Sequence, residues 1–491
     1  MYTFSAGSGP DSQGYSQALS RTSALWFALF AAFFLVDLWK AISVLPIPDF
    51  DARYFYPIYL SVAHQAGLEN PFLSPIAQGG GPLTWHGWLQ PLLVGYSTML
   101  FGGGMTGALI SESLIKFAGL FIYFAWMKSI RQETKPAALL GLVIVYVALT
   151  AQQGRPELLA AVLLLAWSFA DRLCGTTASR IAVAGTSLSL LAVTQPTIAG
   201  LSSIFWLVVL LRDWSLRDAA KHWISANVTA LCGLLLLILL FYPYSLIDWI
   251  SGLLQQATVV ATRVVKGDFL QLWFLNQVKP LHGLIIIAAA IVWGAEIVRR
   301  GTWIAIAAFG GALFILWYMS ARNPHLQYNA EAFVPLIVAL GVSKLPEFTT
   351  SARRWLLICG YSVAVASLLA IVGTLNSLRG EDRNTLYARL QELDQPLERK
   401  IVLSAPLLVG AVPFEKWSRY ALADVVERCP ATPNTLVLVQ QANSGAFAAP
   451  KLAGCRVIED NFAERASIVG WRSPVDLVPR SYGFAVYETT P

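Results

Sequence analysis

The sequence predicts an all-α polytopic membrane protein with about eleven transmembrane helices and a small C-terminal α/β domain. Three observations carry this expectation. Of 491 residues, 56% are hydrophobic and only 13% are charged, against about 25% charged in soluble domains. Apolar runs near membrane-spanning length recur from residue 23 to residue 375, and mean hydropathy is +0.57. After residue 375 the composition changes: basic and acidic residues balance, and short β-rich runs replace the long apolar ones.

The elements follow in order. Residues 1–22 are polar and rich in Ser and Gly, without the apolar core of a cleaved signal peptide, and are expected to be a cytoplasmic tail. The candidate spans are 23–46, 107–127, 137–151, 157–171, 181–195, 197–211, 223–242, 281–298, 302–319, 332–343 and 355–375. With the N-terminus inside, the inner loops carry Arg21, then Lys128, Arg131 and Lys135, then Arg172 and Arg180, then Arg212, Arg217 and Lys221. Arg299, Arg300, Lys344, Arg353 and Arg354 continue the series. The longer outer loops hold only Arg53, Arg155, Arg263, Lys266, Lys279 and Arg322. That bias orients the chain by the positive-inside rule and puts the tail outside. The expected domains are 1–22, a transmembrane unit 23–375 with outer loops 47–106 and 243–280, and a soluble periplasmic domain 376–491. Dense basic faces of the kind that bind nucleic acid are missing.

Two outer segments are expected to have structure. Residues 243–280, with Trp249 and Trp273, mix polar and apolar residues like helices lying in the membrane interface. In the tail, Lys400–Ser404 and Thr435–Val439 read as buried strands flanking a helix around 414–428. Cys174, Cys232 and Cys359 lie in or beside spans and read as inert packing residues. Cys429 and Cys455 both fall in the outer tail, where an oxidising compartment permits a disulfide. Metal-type Cys/His spacing is not present.

The chemistry-bearing residues cluster at the outer turns. Charges within a span are expensive, so Asp37 with Lys40, and Glu112 with Lys116, read as structural ion pairs on single helix faces. Asp49 and Asp51 differ, since they follow the first span at the outer surface with only Arg53 close in sequence. Asp51 suits an N-cap for a helix beginning near Ala52. Paired carboxylates there also suit a general base with a partner that orients it or holds a metal. At the next outer turn, Pro156 and Glu157 favour a helix start. Arg155 can bind phosphate bidentately, and Glu157 can take a sugar hydroxyl or a metal. Arg322 and His325 can stabilise a leaving phosphate, and Tyr328 and Asn329 offer partners to a sugar. Arg263 and Lys266 lie where a lipid phosphate would sit. His86, beside Trp85, is a candidate hydrogen-bond donor, and Gln195-Pro196 marks a tight outer turn.

In this order the parts resemble the GT-C superfamily of polyprenyl-phosphate-sugar-dependent integral membrane glycosyltransferases. The resemblance covers residues 1–375. It rests on Asp49-Phe50-Asp51 in the first outer loop, helices in that loop, the Arg155-Pro156-Glu157 turn, and Tyr328-Asn329 before a late span. It implies a GT-C-like fold and an inverting transfer from a polyprenyl-phosphate sugar to a hydroxyl of a glycan, lipid or protein acceptor at the outer face of the inner (cytoplasmic) membrane. Asp49, Asp51 and Glu157 would be catalytic. Asp-Phe followed by paired tyrosines favours Asp49 as the base, and an acid before Ala-x-Tyr favours Asp51. Arg155, Arg263, Lys266, Arg322 and His325 would hold the donor phosphate. Arg53, Tyr54, Trp85, His86, Tyr328 and Asn329 would contact sugar or acceptor. A divalent cation, Mg or Mn, on Asp49 and Asp51 is the cofactor candidate. A lipid-linked glycan flippase predicts repeated halves with helices broken at mid-membrane, and no internal repeat is visible. A glycan polymerase or ligase would place its large loop between late spans.

The charge bias makes one prediction. Alkaline phosphatase fused after residue 376 should be active in cells, and the same reporter inserted between Arg212 and Lys221 should be inactive. The reverse pattern would invert the orientation.

Overall fold

The computed structural model describes residues 11–43, 52–69, 87–133, 135–262, 280–300, 303–322 and 327–347, scattered helical positions between 350 and 392, and the strands and short turns of the tail. The helices are α1 (Asp11–Ser43), α2 (Ala52–Ala63), α3 (Leu89–Leu100), α4 (Met105–Ser129), α5 (Pro136–Thr150), α6 (Glu157–Leu173) and α7 (Thr177–Thr194). They continue as α8 (Pro196–Asp213), α9 (Leu216–Phe241), α10 (Leu246–Thr262), α11 (Pro280–Arg300), α12 (Trp303–Arg322), α13 (Gln327–Glu331) and α14 (Val334–Lys344). The expected spans between residues 23 and 343 each coincide with one of these helices. By length and composition, five are able to cross a membrane among the described residues: Ala24–Ile42, α4, α7, α8 and α9.

Local sequence explains the boundaries. Pro136 and Pro196 open α5 and α8 in the first turn, where a missing N–H costs nothing. Thr176 and Ser179 form a reciprocal capping box for α7, and Ser215 caps α9 through the Asp218 amide. The core joins α1, α4, α5, α6, α7, α8 and α14, with Trp126, Tyr123 and Tyr146 fully buried. Where helices must approach closely, small residues face each other, as packing in lipid demands. Gly185 of α7 abuts Thr229 of α9, Gly233 of α9 abuts Ser189 of α7, and the Ser189 hydroxyl donates to the Ala230 carbonyl at 2.9 Å. The outer side of α9 carries Leu236, Leu239, Leu240 and Phe241 into the open. Only 11% of its most apolar window is buried, so this face is built for lipid.

Several expectations change. Of the first-loop helices, α3 exposes Leu93, Tyr96, Met99 and Leu100, but α2 does not lie on the surface. Every residue of α2 from Phe55 to Ala63 is buried, wedged between α3, α4 and a cluster containing Trp88, Ile238 and Tyr242. Tyr residues and β-branched residues on all sides let this helix be covered all round. In the 243–280 segment, α10 is amphipathic as expected, exposing Ile247, Ile250 and Leu254, but Trp249 points inward to that same cluster. Trp273 lies outside the described residues. Cys232 is exposed on the apolar face of α9 and not packed inside, Cys174 is half-buried, and Cys359 lies outside the described residues.

The tail holds a five-stranded sheet of β1 (Lys400–Ser404), β2 (Tyr420–Leu422), β3 (Thr435–Val439), β4 (Cys455–Asp460) and β5 (Ala485–Thr489), in the order β2-β1-β3-β5-β4. β1 pairs in parallel with β2 and β3, while β5 runs antiparallel to β3 and β4. The two expected strands are present. The expected helix around 414–428 is corrected at Tyr420–Leu422, which forms an edge strand in register with Ile401–Leu403, and the rest of that range lies outside the described residues. Alternate apolar residues Tyr420 and Leu422 suit a strand as well as a short helix, and pairing with β1 decides. Cys429 and Cys455 form the expected disulfide, closing a separation of 26 residues.

Candidate active site

The turn that links α5 to α6, residues 151–156, organises the site. All six of its residues are buried, and Gly154 takes a φ of +82°, a left-handed conformation that favours glycine. From this turn and the first residues of α6, four polar links run to other elements.

The first link is Glu112 of α4. Its Oε1 accepts from the Gly154 amide at 2.9 Å and its Oε2 accepts from the Tyr56 hydroxyl of α2 at 2.6 Å. The second is the expected pair Arg155 and Glu157, 3% and 1% exposed. Arg155 Nε donates to Glu157 Oε2 at 3.3 Å, and Gln195 Nε2 donates to Glu157 Oε1 at 2.8 Å. The third is Gln90 of α3, which accepts from the Leu159 amide at 2.9 Å and donates to the Tyr59 hydroxyl at 2.9 Å. The fourth is Gln152, whose Nε2 donates to Glu331 Oε2 at 3.2 Å, and Glu331 sits two residues after Asn329 on α13.

The two ion pairs read along single helices are not what the structure contains. Asp37 pairs with Lys116 of α4 at 2.6 Å, across helices. Lys116 also donates to Thr150 Oγ1 at 3.2 Å and lies 4.9 Å from the Tyr146 ring centre, while the Tyr146 hydroxyl donates to Asp37 at 2.9 Å. Lys40 and Glu112 are thereby left out of the pairs expected of them. The i,i+3 and i,i+4 spacings allow contact on one helix. In a bundle a partner on a neighbouring helix can win, because it lets both buried charges compensate each other inside the apolar interior. Gln195 is a further correction: it is more than a tight turn, since its amide holds Glu157.

The remaining site residues divide as follows. Arg53 and Tyr54 lie in the first turn of α2, which begins at Ala52 as the helix start expected there. Asn329 is buried on α13, and Tyr328 precedes it on the same helix. Arg322 is the last residue of α12. Asp49, Asp51, Trp85, His86, Arg263, Lys266 and His325 lie outside the described residues. Next to Trp85 and His86, Gly87 is required by contact, since a Cβ there would collide with the Thr194 backbone. Glu112, Gln90, Gln152, Gln195 and Glu331 were missed as site residues. Among the described residues no group of three His, Cys, Asp or Glu side chains is placed to hold a metal.

Chemically, the site offers a fixed guanidinium, three buried carboxylates at 112, 157 and 331, and amide carbonyls that are not spent. Asn329 Oδ1 and Gln152 Oε1 are buried without a hydrogen-bond partner among the described residues. Buried acceptors are costly when unmet, so they suit a ligand that brings hydroxyl donors.

No protein-family model matches the chain, and no curated protein matches it. Solved structures do. The crystal structure of ArnT from Cupriavidus metallidurans in the apo state superposes with a TM-score of 0.54 at 12% identity, covering 96% of this chain and 98% of that one. ArnT from the same organism bound to undecaprenyl phosphate gives a TM-score of 0.46 at 12% identity, covering 81% and 75%. The chain therefore has the fold of ArnT, in keeping with the fold that the sequence resemblance implied. At this identity the likeness is one of fold.

The buried pair makes a prediction. Lys116→Met should destabilise the detergent-solubilised protein by about 3–5 kcal/mol, because it strands Asp37 in an apolar interior. Lys116→Met with Asp37→Leu should recover most of that loss in thermal unfolding. Equal loss in single and double variants would show that the pair is not the source.

Proposed function

We propose that this chain is an inverting glycosyltransferase that moves a sugar from a polyprenyl-phosphate donor to a hydroxyl of a cell-envelope glycan, lipid or protein. The reaction would occur at the outer face of the cytoplasmic membrane. The observation that carries the reading is a coincidence of fold and chemistry. A fold shared with apo ArnT over 96% of the chain comes with an arginine–carboxylate turn, Arg155 to Glu157, and a paired acid, Asp49 and Asp51, directly before α2. ArnT itself has been crystallised with undecaprenyl phosphate, and that lipid class is the donor we assign here.

The roles follow from charge and reach. Asp49 or Asp51 takes the proton of the acceptor hydroxyl. The oxygen then attacks the anomeric carbon from the face opposite the phosphate. The bond from that carbon to the phosphate oxygen breaks, polyprenyl phosphate leaves with the electron pair, and the configuration inverts. Arg155 offsets the charge that grows on the leaving phosphate, with Arg263, Lys266, Arg322 and His325 as its partners. Glu157 fixes the Arg155 guanidinium, and Gln195 fixes Glu157, so both are positioning residues in this reading. The open carbonyls of Asn329 and Gln152 accept from sugar hydroxyls. Arg53, Tyr54, Trp85, His86 and Tyr328 contact sugar or acceptor. Mg or Mn on Asp49 and Asp51 would supply a positive charge beside the reacting oxygens, and those two carboxylates are the residues that would hold it.

Release of polyprenyl phosphate from labelled polyprenyl-phosphate sugars, with membrane lipid extract as acceptor, tests the reading. Asp49→Asn or Asp51→Asn should cut release by about 10²-fold or more while the melting temperature stays unchanged. Wild-type turnover in both variants would overturn the assignment of the base. Loss on chelation, restored by Mg or Mn, would support the cation.

A further inference from the structure

A second site lies at the opposite end of the bundle. Residue 172 is fifteen residues beyond Glu157 on α6, about 22 Å along the helix axis. Here α6, α8, α11, α12 and α14 leave a cavity of about 360 Å³, within the size range of small-molecule and cofactor pockets. Its walls are apolar and aromatic, with Trp126, Trp167, Trp206 and Trp293 around it. It reaches the surface, because the lining residue Val209 is 41% exposed.

The polar groups of this cavity are few and unspent. Trp126 Nε1 and Ser202 Oγ line it, both on buried side chains, and neither has a hydrogen-bond partner among the described residues. These are donors, and a buried donor without an acceptor is expensive. At the mouth lie Arg172, Arg212 and Lys344. Asp213 holds Arg212 through two bonds of 2.8 Å, and Glu347 holds Lys344 at 2.8 Å. Arg172 has no carboxylate partner among the described residues and rests 5.9 Å from the Trp126 ring centre. Asp171 also lines the cavity; its Oδ1 is buried without a hydrogen-bond partner among the described residues and lies 3.9 Å from Arg180 Nε, so an anionic headgroup has to seat on the Arg172 side of the mouth.

We infer that this cavity binds an acidic glycerophospholipid of the adjoining leaflet. One acyl chain would fill the aromatic walls, ester oxygens would accept from Trp126 and Ser202, and the phosphate would sit at Arg172. A neutral apolar occupant would leave both donors unmet and the cation unused. A free anion would leave the walls empty. Arg172, the lining cation with no carboxylate partner among the described residues, favours a lipid of net negative charge. The charged mouth lies away from the transferase turn, while Ala330, between Asn329 and Glu331, lines the inner end of the cavity, and the undecaprenyl phosphate arm of the test separates this inference from the proposed reaction.

Native mass spectrometry of the full chain after detergent exchange tests it, with phosphatidylglycerol, phosphatidylcholine of the same acyl composition, and undecaprenyl phosphate added in turn. Wild type should retain phosphatidylglycerol about fivefold better than phosphatidylcholine, the size expected for one cation near an anionic headgroup. Arg172→Gln should erase that preference while leaving some binding of both lipids. Ala290→Trp, which fills the cavity from α11, should abolish retention of both at an unchanged melting temperature. Equal retention of the two lipids by wild type would overturn the inference, as would phosphatidylglycerol binding that neither variant alters. Displacement of phosphatidylglycerol by undecaprenyl phosphate would also overturn it, by making the cavity an extension of the donor site.

Discussion

Charge in an apolar slab has to be neutralised or hydrogen-bonded by the protein itself, and most of the interior of this chain is arranged around that requirement. Asp37, Glu112, Lys116, Arg155, Glu157 and Glu331 are all 3% exposed or less. Each is met by a group from another helix or turn, and the meeting points converge on the ends of α5 and the start of α6. Lys116 ties α1 to α4 and reaches Thr150 at the end of α5. Glu112 ties α2 and α4 to Gly154. Removing this lattice would free the turn from three directions at once. The precision of Arg155 and Glu157 is thus a consequence of burial, because the groups that satisfy the interior also set the turn.

The same lattice explains why α2 is inside the bundle. Tyr56 and Tyr59 present hydroxyls on one side of α2, and those hydroxyls meet Glu112 and Gln90. The other side buries Ile58 and Val62 against Trp88 and Ile238. A helix with partners of both kinds has no face left for lipid or water. Its first residue directly follows Asp51, so the proposed base is joined to one of the most firmly held helices of the protein.

The spans were legible because hydropathy is a bulk property that does not depend on which way a helix is turned. Pro136 and Pro196 stand in the first turns of two of them. The partnerships were not legible, because they depend on rotation about each helix axis. Lys116 reads as a partner of Glu112 along α4, yet it turns to Asp37 on α1. Glu157 was visible from its place at a helix start, whereas Gln195 and Gln152 carry no charge and gave no signal until their neighbours were known. In the tail, Thr435–Val439 is apolar enough to read as a central strand, which it is, flanked by β1 and β5. Tyr420–Leu422 belongs to the sheet only through its pairing with β1, a long-range contact that local composition does not record.

Photocrosslinking with a polyprenyl phosphate that carries a diazirine beside the phosphate would locate the donor phosphate on the chain. The account predicts a labelled peptide from the 151–157 turn or from α13, and loss of that label when unmodified polyprenyl phosphate is added in excess. Label found only on the lipid-facing side of α9, and not displaced by the unmodified lipid, would contradict it.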